Sequence, residues 1–367
     1  MKKIDWYILK KFLSTFFFAI FLFTVIAVVV DVSEKADDFV KSNLGFKAIV
    51  MQYYIGFVPH IVALLFPLFV FIAVIFFTSK MAGRSENIAI LASGTSYWRW
   101  LRPYWFGGLF LAGLLWYSNH YLVPHANKIR GAFEAKYFDP NSSYETLTKS
   151  RFGSGSDFYM RLDSNTYAGV YNYDTATKRG GPIFIHKIKN QILVENMRAE
   201  TLYWDTVKKS WKLEYILKRN IDGLNEKLVE IPSLSLGFNF TPGDLRRDKY
   251  TKDKLTSTEL KHLIALEEQR GTEGLNELKV EAARRDATPI TVILLTIIGA
   301  VVAGRKVRGG SGVHLAIGFI TAALFILADK FSTIFSTKGN LPPYIAAWIP
   351  NFIFVFVVMA LYKKAPK

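Results

Sequence analysis

Cysteine is absent from this chain. That excludes disulfides, a thiolate nucleophile and a cysteine-based zinc site, and with them a disulfide-stapled secreted scaffold. There is no Walker A loop, so the chain does not cradle ATP phosphates by that means; a nucleophile elbow and a His-Glu-x-x-His pair are also missing. The six histidines are scattered, and neither a metal nor a cofactor site is expected. Acidic residues are scarce at both ends. Of the 30 Asp and Glu only 7 fall outside residues 124–286, against 19 Lys and Arg in the same flanks, a net of +12. The middle segment holds 27 Lys and Arg against 23 Asp and Glu, a net of +4. The overall +16 is therefore basic punctuation between apolar runs, and nucleic acid is not an expected partner. A single soluble globule does not divide its charge this way, and a chain with 51% hydrophobic residues is not a disordered one.

What is present is a set of long apolar runs. About 20 predominantly apolar helical residues cross roughly 30 Å of hydrocarbon. Six stretches qualify: 12–30, 48–79, 103–123, 287–304, 313–328 and 341–362. The fourth is read as opening at Thr288-Pro289, where a proline's missing N–H costs nothing. The first is too long for a cleaved signal peptide and lacks a small-residue cleavage site before its acidic cluster. Acids, lysines and arginines are missing from the span centres, which argues against a proton relay or ion path. Lys2, Lys3, Lys10, Lys11, Lys80, Arg84, Arg99, Arg102, Arg305, Lys306, Arg308, Lys363, Lys364 and Lys367 gather on one side; Lys35, Lys41, Lys47, Lys330 and Lys338 face the other. The positive-inside rule makes both termini cytoplasmic and places the large middle segment outside the cytoplasm. The expected organisation is spans one to three over 1–123, an extracytoplasmic domain over 124–286 and spans four to six over 287–367.

That middle domain reads as strands from about 138 to 250. Trp211, Leu213, Tyr215 and Leu217 alternate with Lys212, Glu214 and Ile216. Further strands are expected at 183–188, 191–194 and 228–231. Turn signals stand at Lys178 to Pro182, Asp205 to Ser210 and Asp222-Gly223, and Gly153 to Ser156 reads as a flexible turn. Thr241-Pro-Gly-Asp244 ends the pattern, which suggests an antiparallel sandwich or roll. A helix follows from Ser257, with Thr256 and Glu259 spaced as a capping box and Gly271 and Gly274 interrupting it.

The stretch from Lys80 to Trp98 is too long for a turn and too short for a domain. It predicts a short helix over 85–92, capped by Ser85, broken at Ser93-Gly94, with Ile88, Leu91 and Ala92 on one face. Glu86 is the only acid in any cytoplasmic loop apart from Asp5. Two readings stay open on the residues alone: a connecting helix lying on the membrane, or a coupling helix that docks on a cytoplasmic motor. In the same way the whole chain reads either as a transporter subunit or as a membrane-anchored scaffold with a protein-binding β domain. Gly299 with Ala303 and Ala300 with Gly304 are small-residue pairs suited to close helix packing.

Arg84-Ser85-Glu86 and Leu91-Ala92-Ser93-Gly94, after a second span carrying Phe66-Pro67, resemble the lipopolysaccharide-export permeases LptF/LptG. So do Thr241-Pro-Gly-Asp-Leu245, Thr258-Glu-Leu260, Leu327-Ala-Asp329 and Leu341-Pro-Pro343, in order and spacing along the whole chain. Arg-Ser-Glu, Ala-Ser-Gly and Asp31 are more similar to the G-type subunit than to the F-type. The resemblance implies a polytopic α-helical inner-membrane protein with an inserted extracytoplasmic β-jellyroll. It also implies a non-catalytic subunit in a heterodimer with an F-type permease, on a dimeric LptB-like ATPase. Such a complex takes lipopolysaccharide from the inner membrane and hands it to an LptC/LptA-like periplasmic bridge. On this resemblance Glu86, with Arg84, Ser93 and Gly94, forms the ATPase-coupling contact. Lys35, with Lys41 and Asp31, belongs to the substrate-binding rim, where the nearby acids either pair with the lysines or bridge divalent cations. Asp329 and Lys330 stand at a lateral gate; read without the family, they are an interfacial ion pair.

Overall fold

A computed structural model describes residues 2–138, 156–174, 177–238, 240–242, 251–271, 274–305 and 310–365. Residues 153–155 of the expected turn, 243–245 of the Thr241 motif, and Lys306, Arg308 and Lys367 lie outside the described residues. The chain forms two compact units: Met1–Arg130 with Asp253–Leu260 and Asn276–Lys367, and Gly131–Lys252 with Lys261–Leu275.

The first unit is helical. Helix α1 (Lys3–Glu34) starts where the Asp5 carboxylate accepts the Lys2 amide at 2.8 Å, an anion at the end whose orphan N–H groups favour one. Short helices α2 (Ala36–Lys41) and α3 (Phe46–Ile49) follow. A π turn (Val50–Tyr54) then runs into α4 (Ile55–Gly83). Helix α5 (Glu86–Ala92) joins α4 to α6 (Tyr97–Tyr117), and a second π turn (Ser118–Leu122) continues into α7 (Val123–Tyr137). After the β unit come α8 (Thr251–Lys254), α9 (Ser257–Arg270), α10 (Leu275–Ala303), α11 (Gly310–Thr337) and α12 (Pro343–Lys363).

Among the described residues, five stretches are long and apolar enough to cross a membrane: Lys3–Glu34, Phe46–Gly83, Leu275–Ala303, Gly312–Thr337 and Pro343–Lys363. The third expected span is helical too, as α6, but its 21 residues include four Trp and three Tyr, and these amphipathic rings lower its hydropathy. Phe12, Phe16 and Ile20 of α1 pack with Phe66, Val70 and Val74 of α4 and with Tyr104 and Leu111 of α6. Helix α10 is the most enclosed span, 72% buried, while α1 and α11 are the least, at 11% and 17%. Gly299 and Gly304 do allow close packing: an added Cβ would meet Val74 at 3.0 Å and Trp100 at 2.8 Å respectively.

Two expectations about span ends change. Pro289 does not open a helix; it lies inside α10. Thr288 Oγ1 donates to the Arg284 carbonyl at 2.7 Å. Asn351 of α12 donates to the Ala287 carbonyl at 2.8 Å and accepts from Thr291 Oγ1 at 2.8 Å. These side-chain bonds hold the helix together on both sides of the proline. Helix α11 runs on for 28 residues, past the expected end at 328, so Asp329 and Lys330 lie inside it, two turns before its end.

The second unit holds one antiparallel sheet: β1 (Ser156–Arg161), β2 (Thr166–Tyr173), β3 (Arg179–Gly180), β4 (Ile183–Lys189), β5 (Ile192–Asp205), β6 (Ser210–Asp222) and β7 (Asn225–Leu236). The order is β1-β2-β4-β5-β6-β7, with β3 on β5. The expected turns stand between strands: Asp205 Oδ1 accepts from the Val207 and Lys208 amides, and Asp222 pairs with Asn225 around Gly223. Two strands separate β2 from β6, about 14 Å in a flat sheet. Yet the Tyr173 and Trp211 rings lie 6.0 Å apart, so the sheet rolls over its own core. Trp211 is fully buried there and donates to the Phe240 carbonyl at 2.8 Å. The alternation expected along β6 breaks at Tyr215. Its φ of +54° reverses the faces, so Ile216 is 2% exposed whereas Tyr215 is 69% exposed, with Leu217 also outward.

The helix after the sheet forms as read. Thr256 N donates to Glu259 Oε2 at 2.8 Å, and Glu259 N donates to Thr256 Oγ1 at 3.4 Å, a capping box. Gly271 and Gly274, both at positive φ, separate α9 from α10.

Candidate functional site

Three places hold the candidate site residues, all in the helical unit. The first is α5. Ser85 stands at its N-cap, but at φ +62° it makes no side-chain cap; its carbonyl accepts the Ala89 amide at 3.0 Å. The left-handed backbone turns the hydroxyl away from the N–H groups it was expected to cap. Ser93 closes the helix and Gly94, at φ +81°, breaks it, as read. The inward face is Asn87, Ile90 and Leu91, with Ile90 and Leu91 packed on the main core. Ile88, Ala89 and Ala92 face outward, so Leu91 does not share their face.

Asn87 is the residue that sequence reasoning passed over. It is 1% exposed, and its amide reaches the Thr78 carbonyl of α4 at 3.4 Å and the Gly304 carbonyl, just past α10, at 3.3 Å. Its position i, i+3, i+4 with Ile90 and Leu91 was the available signal. Glu86 is partly exposed, at 29% of its side chain. Tyr7 of α1 donates to one carboxylate oxygen at 3.4 Å, and Arg84 lies 3.9 Å from the other. Both contacts are long and the carboxylate is partly exposed, so it can still accept a charge-assisted bond from outside.

The second place is the far end of α1. Asp31 is buried and Lys35 sits one turn later. The π turn widens the helix so that consecutive residues Tyr53 and Tyr54 both face α1. Their hydroxyls each donate to Asp31 at 3.1 Å. Lys35 Nζ lies 3.1 Å from the same carboxylate, donates to Tyr53 Oη and stands 4.7 Å from the Tyr53 ring centre. Asp31 is therefore engaged inside the protein and orients the lysine. Lys41 lies 3.8 Å from Asp38, with three quarters of its side chain exposed. Asp31 and Asp38 of this cluster thus pair with lysines, and among the described residues no three His or acidic side chains converge as a cation site.

The third place is α11. Asp329 bonds Arg284 of α10 at 2.8 Å, not its neighbour Lys330. Asp329, Arg284 and Lys330 border a cavity of about 240 Å³ whose walls include Leu68, Leu295 and Phe325. Arg284 was not foreseen, because 45 residues separate it from Asp329 and no periodicity links them. The structure does not bring the three places together; they lie at the start of α5, at the end of α1 and within α11.

No curated protein matches the chain. The family model for the lipopolysaccharide export system permease LptF/LptG matches residues 6–364. Nearly the whole chain is covered, helices and inserted sheet alike. A multi-pass helical architecture with a β domain between its third and fourth long helices, carrying Arg84-Ser85-Glu86 on a short connecting helix, belongs to the LptF/LptG lipopolysaccharide export permease family.

Proposed function

We propose that this chain is the G-type membrane subunit of an ATP-driven lipopolysaccharide extractor. It pairs with an F-type permease and rests on a dimeric LptB-like ATPase. The lipid passes to an LptC/LptA-like bridge in the periplasm. Both termini are cytoplasmic, the β unit is periplasmic and the membrane is the bacterial inner membrane. Hydrolysis belongs to the partner; this subunit converts it into movement. The need for a motor follows from the cargo, since each buried acyl CH₂ is worth about 0.8 kcal/mol and a multi-chain lipid is held by on the order of tens of kcal/mol.

The observation that carries the reading is the anchoring of α5. Its outer face offers Ile88, Ala89 and Ala92, with Glu86 at the start. Its inner face is tied through Asn87 to α4 and to the end of α10. A load on the outer face is thus delivered to two long helices at once. At the other end of α1, Lys35 supplies a cation for a phosphorylated head group, with Lys41 beside it, and Asp31 with Tyr53 holds Lys35 in place until the lipid arrives. Asp329 and Lys330 stand on α11, which with α1 is the least enclosed of the spans. That low burial suits two helices that line an opening between paired subunits.

The test is co-purification of tagged full-length protein from detergent-solubilised membranes, wild type beside Glu86→Arg. An ATPase should accompany the wild type and be lost, or bound without stimulated hydrolysis, in the variant. A wild-type protein that emerges with no ATPase would overturn the reading.

A further inference from the structure

At the end where α1 begins, opposite to Lys35, α1 and α4 enclose a pocket of about 190 Å³. Three cations reach it: Lys11 from α1, Lys80 from α4 and Arg84 from the turn before α5. One acid is present, Glu86, and it is already taken by Tyr7 at 3.4 Å and Arg84 at 3.9 Å. Among the described residues neither Lys11 nor Lys80 has a carboxylate partner; Lys11 lies 5.9 Å from the Tyr7 ring centre. The pocket therefore concentrates two uncompensated positive charges in a concave site.

Its depth says what such a site holds. From Phe12 onward α1 carries no charge until Asp31, so Lys11 marks the boundary between hydrocarbon and head groups. Lys80 marks the same boundary on α4, after 32 residues without an ionised side chain. Beside the cations the pocket is also lined by Phe77, which is buried, and Phe76, which is 47% exposed. Cations at head-group level over an apolar wall fit a phosphate that carries acyl chains. A free phosphate uses the cations and leaves the wall wet. Basic pockets between spans bind anionic lipid head groups on this principle.

We propose that this pocket is a binding site for an anionic phospholipid of the leaflet at which α1 begins, its phosphodiester held by Lys11, Lys80 and Arg84. The site is separate from the substrate rim and rests only on the chain crossing a membrane. An occupied site places a phosphate beside Arg84, which also lies 3.9 Å from the coupling carboxylate Glu86.

The test uses the full chain in phosphatidylcholine nanodiscs and a spin-labelled phosphatidylglycerol, reading the motionally restricted fraction. Two cations at about fivefold each predict about 25-fold weaker binding for Lys11→Gln/Lys80→Gln. Lys11→Arg/Lys80→Arg should keep the lipid, which separates charge from folding. Lys2→Gln/Lys3→Gln, two charges at the same membrane face outside the pocket, should also keep it. Unchanged binding in the double glutamine variant overturns the site, and so does an equal loss in the Lys2/Lys3 control. Displacement of the lipid by inorganic phosphate at comparable concentration overturns the lipid assignment in favour of a soluble anion.

Discussion

A buried side-chain amide is costly to remove when it ties backbone carbonyls of two different chain segments together. Asn87 is that case: one side chain satisfies the Thr78 and Gly304 carbonyls from the inner face of α5. Asn87→Ala is expected to cost about 1–3 kcal/mol, because both carbonyls lose a donor inside the protein. Asn87→Asp should cost more, since a carboxylate there faces two carbonyl oxygens. Thermal denaturation in detergent checks the order, and an aspartate variant as stable as wild type would refute it. At this scale the sequence was partly legible. Glu86 stands out because acids are rare in the basic loops. The Arg284–Asp329 bond and the use of Tyr53 and Tyr54 by Asp31 were not, because each depends on helices brought together by packing.

Elements were legible where local chemistry decides them. The Thr256–Glu259 box starts α9, and Gly94, Gly271 and Gly274 stop helices. They were misread where a neighbour overrides the local signal. Pro289 looks like a helix start, but Asn351 and the Thr288 hydroxyl carry α10 through it. The alternation on β6 fails because one residue, Tyr215, adopts a positive φ. The capping box also has a pH dependence. The Thr256 amide, and then Lys128 at 2.9 Å, lower the Glu259 pKa from 4.5 to about 2. The folded value lies below the unfolded one, so this contribution is complete above pH 4.5 and is lost as pH falls toward 2. The melting difference between wild type and Glu259→Gln should therefore be full at neutral pH and shrink from about pH 4.5 downward. A difference that stays constant across that window would show that the carboxylate charge is not what the box uses.

For the whole molecule the decisive fact is that the chain builds its cores separately. One cluster, around Trp211, Tyr173 and Ile216, lies within the β unit; the clusters around Phe12, Val74 and Ala300 and around Phe71 and Ile298 lie within the helical unit. The uneven charge had already divided the sequence this way, since a polar middle and apolar ends need different solvents. It could not give the roll of the sheet, which rests on contacts between β2 and β6 that no local pattern encodes. Separate cores predict separate unfolding. Trp211 is fully buried, touches Tyr173, Trp204 and Phe240 and donates to the Phe240 carbonyl. Trp211→Ala removes that packing and its hydrogen bond, a loss of about 3–5 kcal/mol to the β unit. Calorimetry of the full chain in detergent should show two transitions, with only one moved by the substitution. Limited proteolysis should then cut first within residues 131–275 while the long apolar helices stay intact. One transition shifted as a whole would mean that the two units unfold as a single cooperative block, and that the helices draw part of their stability from the sheet.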